Sequence, residues 1–218
     1  WMLGVAVAFA VIFGKEVFGG TGMNIWNPAL LTRAFLFFSY PNSMSGSSTW
    51  IHVKAGEQLV DGFTGATPLA LDGAAQYSTS VWSEFLGTIP GSVGETCIWA
   101  ILLGAILLLM TGVASWKTML SIFVGGGLVA FLFNIGGVEN AAANTPWYMH
   151  LVLGGFAFGA VFMATDPVTS ARTECGKWIY GFLIGAMAIV IRVLNPGYPE
   201  GMMLSILLMN AFAPLIDW

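Results

Sequence analysis

The chain has 218 residues, of which 57% are hydrophobic and 8% are charged, and its net charge is −4. A soluble domain carries about a quarter charged residues, so this composition excludes an ordinary soluble domain and predicts an integral membrane protein. The apolar runs are continuous and do not alternate, which favours helices over a closed barrel. The sequence has no basic patch that would indicate a nucleic-acid partner.

The first forty residues predict two membrane elements separated by a glycine-rich break. Residues 1–13 are apolar and are typical of the last part of a membrane helix, and we expect the chain to be part of a longer protein. After the break, Asn27-Pro28 predicts a short helix that ends near Tyr40, because Asn is a good N-cap and Pro suits the first helical position. Arg33 inside this helix predicts a buried partner or a cavity, since a charge at membrane depth is rare.

Residues 41–94 form the one long polar segment. It contains the motif Asp61-Gly62-Phe63-Thr64-Gly65-Ala66-Thr67-Pro68, with two hydroxyls three residues apart. Glycine permits tight turns and the close approach of another molecule, and Pro68 disfavours helix at Thr67. The motif therefore predicts an ordered turn that presents the Thr67 hydroxyl. From the residues alone, a plain surface turn capped by Asp61 is the alternative.

Residues 95–218 predict a membrane region of five helices. The expected spans are residues 96–112, 118–135, 150–165, 176–194 and 202–216. Asp166-Pro167 and Asn195-Pro196 repeat the signal of Asn27-Pro28. The two Asn-Pro breaks precede elements of opposite direction, as an inverted repeat would give. We expect an all-α integral membrane protein, a multi-helix bundle with broken helices that forms half of an inverted-repeat, transporter-like fold.

The positive charges predict an orientation in the membrane. Lys117, Arg172 and Lys177 fall at turns on one side, which the positive-inside tendency makes cytoplasmic. The long polar segment with Thr67 falls on the other side. Long segments cross membranes regardless of their charge, so Lys54 does not contradict this assignment.

Several motifs resemble a known family, which includes the B subunit of the sodium-translocating NADH:quinone oxidoreductase (Nqr) and the related D subunit of the Rnf complex. The Nqr protein is the closer match, and the resemblance is to its C-terminal part. The similar segments are residues 19–30, 33–38, 61–67, 90–95, 162–168 and 195–203. They are spread along the chain, and the resemblance extends over essentially all of it.

The resemblance implies two flavins. FMN would be attached through a phosphoester to Thr67, the last threonine of the motif, by an FAD-dependent flavin transferase outside the cytoplasm. The rest of the motif that binds this cofactor is Asp61, Thr64, Gly65 and Ala66. Riboflavin would bind without a covalent link near Asn24 and Asn27, since an amide can donate to and accept from the edge of the flavin ring. Asn27 can also be a plain N-cap.

The resemblance also implies a place in an electron-transfer complex of a bacterial inner membrane. Electrons from NADH, oxidised in another subunit, would pass from FMN to riboflavin and ubiquinone while sodium moves outward. The expected partners are the other Nqr subunits (A, C, D, E and F). We expect no catalytic side chain in this chain itself. A component of the Rnf complex, or a channel or transporter without a redox role, are the alternatives.

The resemblance places an ion path near the last helices. Asp217 matches an acid connected with sodium uptake, and Asp166 is the second acidic candidate for the sodium path, because a hard cation prefers oxygen ligands. Phe158 and Phe162 match phenylalanines that would narrow the path as a gate. From the residues alone, Asp217 also fits an interfacial helix-end acid, and phenylalanines four apart also fit ordinary packing.

Overall fold

The computed structural model describes residues 1–44, 81–87, 94–136, 141–195 and 200–218, and all regular structure in these ranges is helical. The α-helices are α1 Met2–Gly14, α2 Pro28–Ser39, α3 Pro41–Met44, α4 Val81–Leu86, α5 Ile98–Met110, α6 Trp116–Ile135, α7 Ala141–Asn144, α8 Trp147–Val152, α9 Phe156–Phe158, α10 Glu174–Leu194 and α11 Met202–Ile216. A 3-10 turn covers Glu16–Phe18 and a π-helical segment covers Gly159–Met163. The predicted all-helical class is confirmed for these residues.

Two helices in the described ranges are long and apolar enough to cross a membrane. Helix α6 has 20 residues and a mean hydropathy of 1.9, and α10 has 21 residues and a mean hydropathy of 1.7. At about 1.5 Å per residue, each reaches the roughly 30 Å of a bilayer's hydrocarbon core. Helices α2, α5 and α11 are apolar but shorter. The arrangement of seven membrane elements stays a prediction.

Helices α6 and α10 form the centre of the bundle through small residues. A Cβ on Gly181 would lie 2.7 Å from the carbonyl oxygen of Thr118, and a Cβ on Gly125 or Gly185 would overlap backbone of the facing helix. The Ser121 hydroxyl donates to the Trp178 carbonyl at this contact. Small residues, here including the Gly125-Gly126-Gly127 run, let membrane helices approach until their backbones touch.

Helices α1 and α2 pack antiparallel against each other, and the glycine-rich break connects them. The rings of Phe9 and Phe35 have centroids 4.7 Å apart, and Trp1 contacts Tyr40 edge to face at 5.8 Å. On its other face, α2 buries Leu30 in the core that α10 and α11 also line. The glycine-rich break therefore reverses the direction of the chain and places Leu30, in the first turn of α2, inside the bundle.

The predicted helix over residues 150–165 is wrong in one respect, because the structure interrupts it. Helix α8 ends at Val152, Leu153 is extended, Gly154 has a φ of +63°, and the helix resumes at Phe156. The following turn is π-helical, with Ala164 N–H donating to Gly159 O at 2.8 Å. The two adjacent glycines allow this break, because only glycine adopts positive φ at low cost.

The starts of α10 and α11 agree with the predicted spans within two residues, but their caps are not the residues that the Asp-Pro and Asn-Pro signals indicated. Asp166-Pro167 does not cap a helix; it opens the turn of residues 166–170, and Thr173 is the N-cap of α10, its hydroxyl accepting from Gly176 N–H. Asn195 ends α10 as its C-cap, while Gly201, with φ +67°, is the N-cap of α11. The breaks fall where the sequence predicted them, but other residues make the caps. The end of α11 at Ile216 agrees with the predicted span.

Candidate functional site

Asn27 lies at the start of α2 and is its N-cap, as the sequence predicted. Its Oδ1 accepts from the backbone N–H of Ala29 at 3.0 Å and of Leu30 at 3.4 Å, with Pro28 at the first helical position. This confirms the N-cap. The Asn27 side-chain NH₂ makes no hydrogen bond to any residue in the described ranges, and the residue is half-buried. The capping oxygen is occupied while two N–H donors remain for another group.

The segment before Asn27 is shaped by glycines. Gly19, Gly20 and Gly22 have φ angles of +117°, +90° and +89°. Nothing lies within 4 Å of the position that a Cβ on Gly22 would take. Asn24 lies two residues after Gly22 and is half-buried. Open space thus adjoins the glycine-rich segment at Gly22, and amide groups such as those of Asn24 and Asn27 can donate to and accept from the edge of a flat polar ring.

The N-terminal end of α2 touches a buried polar pair. Tyr180 of α10 and Asn210 of α11 are 0% and 1% exposed, and the Tyr180 Oη lies 2.6 Å from the Asn210 amide. With its nitrogen towards Tyr180, the Asn210 amide also donates to Ile206 O at 3.3 Å and accepts from the Asn27 N–H at 3.2 Å. In the opposite orientation its NH₂ would face the Asn27 N–H, donor against donor. Hydrogen-bond satisfaction therefore selects the first orientation.

Asp166 is held by its own turn. Its Oδ1 accepts from Val168 N–H at 3.3 Å, and its Oδ2 accepts from the Thr169 hydroxyl at 2.9 Å. Both carboxylate oxygens are thus engaged within the turn of residues 166–170.

Phe158 and Phe162 contact each other on the interrupted helix. Their ring centroids are 5.0 Å apart at an interplanar angle of 45°. Glycines on the neighbouring segment make room for both rings. A Cβ on Gly94 would lie 3.4 Å from Phe158 Cε2, and a Cβ on Gly104 would overlap the Phe162 ring. Phe158 therefore packs against Gly94, just before α5, and Phe162 packs against Gly104 in the middle of α5.

Asp217 closes the other end of α11 and binds the residues that precede α10. Its Oδ2 accepts from Arg172 N–H at 2.7 Å, while its Oδ1 accepts from the Thr173 N–H at 2.9 Å and from the Thr173 hydroxyl at 2.7 Å. Burial raises the pKa of the Asp217 carboxyl, but these hydrogen bonds outweigh it and hold the pKa below its usual value. A carboxylate has about four acceptor sites, so one on Oδ2 remains for a cation.

Charged groups also gather at the break after α8, a cluster that we name the arginine–glutamate network: Arg33, Glu95, Arg192 and Glu200. The Arg33 guanidinium pairs with Glu200 at 2.5 Å, which confirms the partner expected for Arg33. A Cβ on Gly155 would lie 2.7 Å from Glu200 Oε1 and 3.0 Å from Glu95 Oε2. The carboxylates of Glu95 and Glu200 therefore both lie close to Gly155, where a larger residue would collide with them.

Arg192 completes the network from α10 and is 3% exposed. Its guanidinium donates to the carbonyl oxygens of His150 at 2.7 Å, Leu153 at 3.2 Å and Glu200 at 3.4 Å. These carbonyls belong to the end of α8 and the start of α11, where the helical hydrogen bonds stop. The arginine supplies the missing donors, because its fork carries five N–H groups. Sequence reasoning missed this role, and the only signal was an arginine in the last turn of an apolar helix.

Five of the predicted site residues lie outside the described residues. They are Asp61, Thr64, Gly65, Ala66 and Thr67. The described segments on either side of them lie near the arginine–glutamate network. Arg33 of α2 pairs with Glu200, and Glu95, which precedes α5, lies close to Gly155 together with Glu200. Asp217 is at the opposite end of α11.

The whole chain matches one known family: the model described as the NQR2, RnfD, RnfE family covers residues 1–218. A Chromohalobacter salexigens protein, named as the B subunit of Na⁺-translocating NADH-quinone reductase, is 55% identical, over 100% of this chain and 53% of its own length. Proteins of the same name from Pseudomonas aeruginosa and Yersinia pestis are 50% and 49% identical, over 100% of this chain and 54% of theirs. The chain thus spans about half the length of the curated relatives it matches. With the family model matching from the first residue to the last, this chain belongs to the NQR2, RnfD, RnfE family.

Proposed function

We propose that this chain is the flavin-carrying part of the membrane-embedded B subunit of a sodium-pumping NADH:quinone reductase. The observation that carries the proposal is the family match along the entire chain, which includes both the Thr67 motif and the break at Asn27. The names of the relatives support the quinone reductase over the Rnf-type alternative. A channel without redox role would not need half-buried amides with unused donors at a helix break.

Thr67 is the proposed attachment point of FMN. Its hydroxyl oxygen forms a phosphoester with the FMN phosphate of FAD while AMP leaves and the hydroxyl proton is lost, so the reaction needs no oxidant or reductant. Asp61, Thr64, Gly65 and Ala66 form the motif that the flavin transferase recognises. The described residues that flank this segment lie away from Asp217 and from Lys177. This supports a Thr67 segment on the periplasmic side of the bacterial inner membrane.

Asn24 and Asn27 are the proposed residues for the non-covalent riboflavin. The free NH₂ of Asn27, the half-buried Asn24 and the open space at Gly22 fit the polar edge of its ring system. When bound, the flavin would supply one- and two-electron chemistry. These residues would bind and orient it. Electrons would then continue to ubiquinone, with the A, C, D, E and F subunits of the complex as the partners.

The proposed sodium path uses oxygen ligands and aromatic packing. Asp217 has one acceptor position left, and Asp166 presents a carboxylate whose oxygens each hold one hydrogen bond. Phe158 and Phe162, as a gate, would narrow the route between the two ends of the bundle. The full subunit would cross the membrane several times as an inverted repeat, and the interrupted helices at Asn27 and Gly154 agree with such a transporter-like plan.

The test is peptide mass spectrometry of the complex purified after expression with the flavin transferase. We expect the peptide that contains Thr67 to carry one FMN. Thr67→Ala should abolish both the adduct and quinone reduction, whereas Thr64→Ala, the matched control three residues away, should keep the adduct. An active complex without FMN on this peptide, or with FMN on Thr64, would overturn the proposal.

A further inference from the structure

The N–H of a helix N-cap residue normally faces solvent, but that of Asn27 meets a buried side chain from another helix. Asn210 accepts this N–H at 3.2 Å and is itself fixed by Tyr180 at 2.6 Å and Ile206 O at 3.3 Å. A buried polar side chain costs free energy unless its hydrogen bonds are made, so each bond restricts where the others can be. The start of α2 is therefore attached to α10 and α11 through one amide.

This attachment acts on the residue that carries the free NH₂. The Asn27 backbone is held by Asn210, and the Asn27 Oδ1 is held by the first turn of α2. With the backbone and the oxygen both fixed, the direction of the amide NH₂ is fixed as well. Leu30, buried one turn further along, keeps the helix against the same core.

We propose that Tyr180 and Asn210 are positioning residues for Asn27, which set the direction of its side-chain NH₂ and thereby the site for the non-covalent flavin. The inference rests on the proposed function for the identity of the ligand, but the attachment itself does not depend on it. Neither residue carries a sequence signal, because a tyrosine and an asparagine on two separate apolar helices have no fixed spacing.

The polar pair has a second consequence for the geometry. In the selected orientation Tyr180 Oη accepts from Asn210, so its own hydroxyl hydrogen is directed away from this pair. Tyr180→Phe removes the acceptor for Asn210 but leaves its bonds to Ile206 O and Asn27 N–H, and is therefore the milder of two variants.

The experiment uses the assembled complex and three variants of this subunit. Asn210→Leu removes the amide at similar volume, Tyr180→Phe removes the hydroxyl, and Ser205→Ala is the matched control. Ser205 is 0% exposed on the same helix and donates to Met202 O at 2.9 Å, so it loses a buried hydrogen bond without touching α2. The covalent FMN on Thr67 serves as the measure of correct folding and assembly in every variant.

Two readouts are measured: the non-covalent flavin released by acid per covalent FMN, and hydrogen exchange of the peptide over residues 24–34. For Asn210→Leu we expect the released flavin to fall to about a tenth and exchange at the start of α2 to rise about tenfold, as loss of one buried hydrogen bond predicts. Tyr180→Phe should change both in the same direction by a smaller factor. Ser205→Ala should leave both unchanged.

The outcomes separate this inference from the proposed function. Asn210→Leu with wild-type exchange over residues 24–34 overturns the positioning role. Increased exchange with no flavin released from the wild type supports the attachment and removes the riboflavin assignment instead. If Asn210→Leu does not assemble, Tyr180→Phe decides: wild-type values for both of its readouts overturn the inference.

Discussion

The two ends of the bundle use charge in different ways. At the Asp217 end, Lys117 and Lys177 both pair with the exposed Glu174, and Asp217 accepts from the backbone before α10. At the other end, the arginine–glutamate network is largely enclosed, and Arg192 donates to three carbonyls where helices stop. The charged groups at the Asp217 end stabilise helix ends that water can reach. Arg192 at the other end supplies hydrogen bonds that the interrupted backbone does not make for itself in an apolar environment.

The difference follows from where each chain break lies. An exposed helix end finds water for its free N–H and C=O groups, so an ion pair there adds little. A break inside an apolar bundle has no water, and a buried guanidinium must supply the donors. Charge at the enclosed end is thus part of the backbone's hydrogen bonding, whereas charge at the exposed end is replaceable. Mutations at the two ends test this distinction.

The largest effect is expected for Arg192→Met. It removes the donor to three carbonyls where helices stop, and each buried acceptor left without a hydrogen bond costs about 1–3 kcal/mol. We expect a large fall in the midpoint of thermal unfolding of the detergent-purified complex, measured by loss of its size-exclusion peak. Lys177→Met at the exposed end is the control and should shift the midpoint little. Equal shifts for the two variants would contradict the comparison.

A smaller effect is expected for the Arg33–Glu200 pair. Arg33 and Glu200 are 35% and 16% exposed in their side chains, so water screens part of the interaction. In a double-mutant cycle with Arg33→Met and Glu200→Gln, we expect a coupling free energy of about 1–2 kcal/mol. The same cycle on Lys117 and Glu174, measured by the same unfolding assay, should give a coupling too small to resolve. A stronger coupling at the exposed pair would reverse the assignment of the two ends.

Local sequence signals predicted the parts of the fold that depend on neighbouring residues. Asn27-Pro28 predicted the cap of α2, and the apolar run before Asp217 predicted the bounds of α11. Each of these features is decided within about one helical turn. Such signals are reliable because few alternative backbone conformations satisfy them.

The features that the sequence did not predict depend on residues far apart in the chain. The interruption at Gly154 requires Arg192, almost forty residues later, to supply donors, and no local pattern announces it. Thr173 rather than Asp166 caps α10, because Asp217 from the end of the chain fixes the turn just before Glu174. The link from Tyr180 through Asn210 to Asn27 joins three helices in the same way. The positions of Thr67 and its motif remain predictions.

The smallest effect is expected for Asp217→Asn, which tests the exposed end through pH. The carboxylate accepts three hydrogen bonds at the start of α10, and a half-exposed anion at a helix N-terminus contributes about 1 kcal/mol at most once water screens it. Its pKa in the folded protein lies below the usual 3.8. Its contribution is therefore complete above the unfolded pKa and is lost as pH falls through the lower folded pKa, because the unfolded chain binds the proton first.

Wild type and Asp217→Asn are compared by their thermal midpoints as pH is lowered. The difference between them should be constant above about pH 5 and shrink below about pH 4, as the carboxyl of the wild type becomes protonated. Glu95→Gln at the enclosed end is the control for general acid damage to the complex. A difference that instead grows as pH falls would mean that Asp217 is protonated in the folded state, and the hydrogen bonds from Arg172 and Thr173 could not then be what holds α11 to the start of α10.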